Sequence, residues 1–260
     1  MPTIPGFWDI GPHEPLPVEA TWNAFANSIG GKRISELLPK SPDFDNADYL
    51  LEEAGVIAEL KEVETEFSRT NAFRVCFDRL MKRLVAEDPE WRPVLFGGSG
   101  KYPTWFYPEF VRIFRPPISR VLKKANRQLR ETKEHFQILG TTGVLLFVND
   151  GFTSLGPDLV QSLACNLLTN SYSSIDSFVY LTVNRYVEIQ GSDVPRLLWA
   201  PTYSDRATDE LHAFINDLGR KWCKFLEAKI GPFTVDKWET DDLGAIRGSK
   251  AIVLPGEHRG

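Results

Sequence analysis

The chain has 260 residues, of which 42% are hydrophobic and 25% charged, with a formal net charge of −5. That length can build one large domain with room for an insertion. The acidic balance excludes a generally basic, DNA-coating protein, although local charge decides nucleic-acid contact, and no apolar run approaches the ~18 residues of a membrane span.

Residues 1–17 are proline-rich and predict an arm laid on the surface. Residues 18–38 follow a helical pattern through Trp22, Phe25, Ile29, Ile34, Leu37 and Leu38, with Gly30-Gly31 interrupting it and Pro39 and Pro42 ending it. A hairpin is expected over 47–63 and a second helix over 65–87. A Pro/Gly/aromatic loop over 88–107 and a third helix over about 118–135 come next. Gly143-Val-Leu-Leu-Phe-Val-Asn149 is continuous and apolar, as a strand buried on both faces requires. Beyond it the pattern predicts a helix at 156–168, strands at 177–183 and near 196–200, and a helix over 206–229. The tail from 231 to 260 is polar except for Ala251-Ile-Val-Leu254. The expected class is α/β, a central mixed sheet flanked by helices, in one domain. Its core would span about 20–64 and 118–230, with a helical insertion over about 65–117.

Cys76, Cys165 and Cys223 are far apart in apolar segments, which suits buried free thiols in a reducing compartment. His13, His135, His212 and His258 have no ligand-like spacing, which argues against zinc. The opening Met-Pro-Thr-Ile-Pro-Gly-Phe-Trp lacks the basic region and apolar core of a signal peptide, so a cytoplasmic protein is expected.

The hairpin holds the most informative chemistry. Asp48, Glu59 and Lys61 interrupt two short apolar strands around a turn at Ala54-Gly55. Side chains alternate along a strand, so Glu59 and Lys61 share a face, while Val56, Ala58 and Leu60 take the other. A turn centred on Ala54-Gly55 places Asp48 roughly opposite Lys61. Two carboxylates can share a hard cation such as Mg²⁺, which prefers one or two carboxylates plus water and phosphate oxygens. Lys61 can then orient a water or stabilise phosphate charge. The competing reading is an ordinary hairpin with cross-strand charge pairs on its wet face.

Three other motifs carry candidate chemistry. Phe96-Gly-Gly-Ser-Gly-Lys101 fails as a phosphate loop: position 95 is Leu, Tyr102 follows the lysine, and Pro103 replaces a helix start. Asn149-Asp150-Gly151 reads as a turn rather than a metal site, and Ser154 lacks the surroundings of a nucleophile. Between Val111 and Phe136 lie Arg112, Arg115, Arg120, Lys123, Lys124, Arg127, Arg130 and Lys133. This stripe can track a phosphate backbone or simply form a solvated helix face. Gln128 sits within it.

In its order of helix, hairpin with Asp48 and Glu59-Leu-Lys61, basic helix with Gln128, and apolar strand 143–149, the chain resembles the PD-(D/E)XK, or restriction endonuclease-like, nuclease superfamily. The resemblance covers roughly residues 20–64 and 118–150. It implies a restriction endonuclease-like core and a Mg²⁺-dependent (Mn²⁺ substituting) nuclease acting on DNA. Asp48 and Glu59 would be metal ligands, Lys61 and Gln128 further catalytic residues, and Glu36 an accessory acid. Arg120, Lys123, Lys124 and Arg127 would hold the nucleic-acid backbone. The literal Pro-Asp pair is Pro42-Asp43, so Asp43 and Asp45 compete with Asp48 as the first ligand. A homodimer or larger complex would suit double-strand cutting. The alternative is a nucleic-acid-binding or assembly protein that keeps this core without catalysis.

Overall fold

The computed structural model describes residues 13–252 apart from 14, 41, 65, 93–100, 138–140, 152–154, 190, 191, 193, 234–236, 241 and 243. The elements are α1 (Val18–Ser28), β1 (Lys32–Arg33), α2 (Ile34–Leu37), β2 (Tyr49–Leu51), β3 (Val56–Val63), α3 (Asn71–Glu87) and α4 (Phe106–Phe136). They continue with β4 (Thr142–Asn149), α5 (Pro157–Ser171), β5 (Ser177–Leu181), β6 (Tyr186–Glu188), β7 (Trp199–Tyr203), α6 (Asp209–Ile230) and β8 (Lys250–Ile252). Residues 96–100 of the glycine-rich loop, Ser154, His258 and most of the proline-rich arm lie outside the described residues.

Six strands form one open mixed sheet in the order β1-β2-β3-β4-β5-β7. The centre, β3-β4-β5, is parallel, and antiparallel strands flank it on both sides. Parallel strands are buried on both faces, which is why β4 and β5 read as unbroken apolar runs. On one face Ile57, Leu145, Phe147, Phe178 and Tyr180 pack under α4 and α5. On the other, Ala58, Val144, Leu146, Val179 and Leu181 pack under α1 and α6. There Trp22 stacks on Trp222 with ring centroids 4.4 Å apart. The chain is thus α/β with helices on both sides of the sheet. Among the described residues no helix is long and apolar enough to cross a membrane.

Four expectations are corrected. The helix over 18–38 is α1 followed by β1 and α2, because Gly30 turns the chain at φ 79° and the next residues pair with β2. The third helix begins at Phe106, not near 118, and runs 31 residues through Pro116 and Pro117. Each proline removes a helical hydrogen bond, but Phe114, Ile118, Leu122, Ala125 and Leu129 bury a continuous stripe that offsets the loss. The tail, expected as polar with one short apolar piece and no strand, supplies β8, which pairs antiparallel with β6. Of the three thiols expected to be buried, Cys76 on α3 is exposed, and Cys165 and Cys223 are half-buried.

Gly143 opens β4 where no side chain fits. A Cβ there would lie 1.9 Å from the Ser174 carbonyl oxygen, a backbone atom that cannot swing aside. Gly143→Ala is therefore expected to cost about 2–3 kcal/mol, the scale of an overpacked core, read as a lower Tm with unchanged secondary structure.

Candidate active site

The register of the hairpin decides which charges meet. β2 pairs with β3 as Tyr49↔Ala58, Leu50↔Ile57 and Leu51↔Val56, around a turn at Glu52–Gly55. Gly55 sits at φ 61°, a left-handed conformation that glycine adopts at no steric cost. One step beyond Tyr49↔Ala58, Asp48 faces Glu59. The expectation that Asp48 lies opposite Lys61 is corrected by two residues, because the turn is centred on Glu53-Ala54.

Asp48 is fixed from both sides. Its N–H donates to the Ala58 carbonyl at 3.2 Å, and its Oδ2 accepts the Leu60 N–H at 2.7 Å. Its own carbonyl accepts the Ile34 N–H at 2.9 Å, which anchors α2 beside it. Glu59 is completely buried, on the sheet face that α4 covers. Its Oε1 accepts a hydrogen bond from Lys61 Nζ. Its Oε2 is buried and has no hydrogen-bond donor among the described residues.

Burial is the largest cause pushing the Glu59 carboxyl up to about 8, and the Asp48 charge adds to it, against the favourable Lys61 ammonium. Asp48 is also raised, first by burial. Two facing carboxyls out of water need a proton or a cation between them, since like charges disfavour joint ionisation. Lys61 touches Glu59 from one side only; on the other, the Glu59 and Asp48 carboxyls share a side-chain hydrogen bond when Glu59 is protonated, which raises Glu59 and lowers Asp48.

A divalent cation fits that requirement. Carbonyls alternate in direction along a strand. The Ala58 carbonyl faces β2, and the Val63 carbonyl faces β4, where it accepts the N–H groups of Asp150 and Gly151. The Leu60 carbonyl therefore points to the edge that β2 has vacated, next to Asp48. Asp48, Glu59 and that carbonyl would hold a hard cation, leaving positions for water and phosphate. Among the described residues no three His, Cys, Asp or Glu side chains group as a metal cage. Two carboxylates fit the way Mg²⁺ is held at phosphate sites.

The other expected residues lie as follows. Gln128 is buried on α4, and its Nε2 donates to the Asn46 carbonyl at 2.8 Å, two residues before Asp48. Thr132, one turn on, accepts the Ala47 N–H at 2.8 Å. Gln128 therefore holds the approach to Asp48. Asp43 and Asp45 line a separate surface cleft of about 360 Å³ with Phe44, Arg127 and Glu131, and Asp45 is ion-paired with Arg127. Of the three candidate first acids, the structure brings Asp48 to Glu59. Glu36 is exposed on α2. The acid of the first helical segment whose charge reaches Asp48 is Glu19, in the first turn of α1 and 2.8 Å from Arg33. Nothing in the sequence marks Glu19, because only folding brings α1 against β3. Arg120, Lys123 and Lys124 are exposed on α4. Asp150, read as a turn residue, is buried and accepts the Asn184 side-chain amide at 2.7 Å.

Comparison with protein-family models, with curated proteins and with solved structures returns no match to this chain.

Proposed function

We propose that the chain is a metal-dependent nuclease with a restriction endonuclease-like core that hydrolyses phosphodiester bonds of DNA. The observation that carries this reading is the pair of facing carboxyls, Asp48 and the completely buried Glu59, beside the Lys61 ammonium. Asp48 and Glu59 would hold Mg²⁺ or Mn²⁺. When bound, the cation supplies Lewis acidity and makes water acidic enough to act near neutral pH. The Lys61 side chain is 20% exposed, and its ammonium pairs with the buried Glu59 carboxyl. It orients water or offsets charge growing on the phosphate. Hydrolysis forms one phosphorus–oxygen bond from water, breaks the ester bond and protonates the leaving alkoxide. Gln128 and Thr132 keep Asp48 in register through the loop before it.

The test is cleavage of several DNA and RNA substrates with and without Mg²⁺ or Mn²⁺, with Glu59→Ala and Lys61→Ala as controls. Cleavage that needs the metal and is lost in both variants is the expected result; cleavage that survives both overturns the site. One observation favours the second reading, a nucleic-acid-binding protein without catalysis: Lys61 pairs directly with Glu59, as a purely structural charge pair would. Binding without turnover, insensitive to EDTA, would select it.

A further inference from the structure

Charge is unevenly divided along this acidic chain. Residues 65–136 hold 15 of the 30 Lys and Arg but only 8 of the 35 Asp and Glu, so this quarter of the chain is net +7 and the remainder −12. The spacing of Arg112, Arg120, Lys123, Arg127 and Arg130, at steps of 8, 3, 4 and 3 residues, puts them on one side of α4. The ends of this ridge are internally compensated: Arg112 pairs with Glu109, Arg127 with Asp45, and Arg130 with Glu131 and Glu134. The middle is not. Arg120, Lys123 and Lys124 are exposed, and among the described residues none lies within ion-pair distance of a carboxylate.

We propose that this ridge is a backbone-binding surface for a nucleic-acid double helix, and that it sets a minimum substrate length on one side of the scissile bond. The proposal rests on the nuclease reading for the position of that bond. The surface is outside the carboxylate site. An α-helix rises 1.5 Å per residue, so Arg112 lies roughly 24 Å along α4 from Gln128, the α4 residue beside the Asp48 loop. At about 3.4 Å per base pair, that is roughly 7 base pairs of flanking duplex. The double helix is favoured because the exposed side chains between Arg112 and Arg130 are mostly cationic, and the one aromatic there, Phe114, is buried. Single-strand binders stack bases on exposed aromatic rings, whereas a ridge of cations alone reads phosphates.

The test is binding in EDTA, where no metal-dependent cleavage proceeds, to labelled DNA and RNA duplexes of increasing length and to their single strands. The exposed triple variant Arg120→Ala/Lys123→Ala/Lys124→Ala is measured beside the native chain, with matched circular dichroism and Tm confirming its fold. We expect tighter binding to duplex than to single strand and a rise in affinity as one flank reaches roughly 7 base pairs. For the variant we expect affinity at least roughly tenfold weaker and a log–log salt slope shallower by roughly 3 contacts' worth. Similar binding of DNA and RNA duplexes supports a phosphate-reading ridge, and preference for one identifies its source. An unchanged salt slope in the variant, tighter single-strand binding, or no binding by the native chain overturns the proposal. Binding that follows this pattern without any cleavage in Mg²⁺ keeps the ridge and removes the nuclease reading. Metal-dependent cleavage with a variant that binds like the native chain does the reverse.

Discussion

Glu59→Gln is expected to abolish metal-dependent cleavage and, in the absence of metal, to stabilise the fold at alkaline pH. Both effects come from one buried carboxyl. In the folded chain Glu59 holds its proton up to about pH 8, against an ordinary value of 4.5. Between those values the folded state binds a proton that the unfolded state has released, so stability falls as pH rises through this window, and the loss is complete above about 8. A neutral glutamine fills nearly the same volume and has no proton to lose. The expected gain at pH 8.5 without metal is on the order of 2–3 kcal/mol, read as a higher Tm than the native chain and a flatter Tm between pH 5 and 8.5. Mg²⁺ should reverse the ranking, because a cation stabilises only the ionised native site. Metal binding must displace the Glu59 proton, so affinity should rise with pH up to about 8. Calorimetry in buffers of different ionisation enthalpy should register proton release near neutrality. Activity should fall by at least roughly a thousandfold, on the scale of losing the metal's contribution. A variant that cleaves normally, or a native chain whose metal-free stability is flat across this window, would sink the account.

Asp176→Ala is expected to give the largest loss of stability. Asp176 is buried, and its carboxylate gathers three elements. Oδ2 accepts the Gly143 N–H at 2.8 Å and Lys133 Nζ at 3.1 Å. Oδ1 accepts Arg206 Nε at 3.3 Å. The start of β4, the last turn of α4 and the segment before α6 are tied at one point. Removing the acid leaves a buried N–H without its acceptor and two cations without their shared partner. Breaking a buried pair from one side costs about 3–5 kcal/mol. In a chain of this size each kcal/mol lowers Tm by roughly 2–4 °C, so a drop of at least roughly 6 °C is expected in thermal unfolding. Asp176→Asn keeps an acceptor for Gly143 and should lose less. Equal Tm values for native and Asp176→Ala chains would show that the network contributes nothing.

Neither effect could be read from one-dimensional pattern to the same degree. The sharing of a face by Glu59 and Lys61 was legible, because strand periodicity is two whatever surrounds the strand. The partner of Glu59 was not. A shift of the turn centre by one residue changes the cross-strand partner by two, and the short helical turn at Glu52–Ala54 made that difference. Gln128 stood out in sequence only as a polar residue among cations. Its contact with Asn46 spans 82 residues and is decided by how α4 lies across β3. Asp176 carried no signal at all, since its partners come from positions 133, 143 and 206.

By itself the sequence determined the α/β class, the existence of the buried strands expected at 143–149 and 177–183 and of the helices expected at 156–168 and 206–229, which the structure bounds at 142–149, 177–181, 157–171 and 209–230, and the common face of Glu59 and Lys61. These follow from short-range periodicity, which local chain geometry imposes. Only the tertiary structure decided that Asp48 faces Glu59 rather than Lys61, that Asp45 pairs away with Arg127, that the charge of Glu19 reaches Asp48, and that Glu59 is completely buried. Those facts depend on strand register and helix packing, where contacts far apart in sequence set burial, and burial sets the charge state of the site.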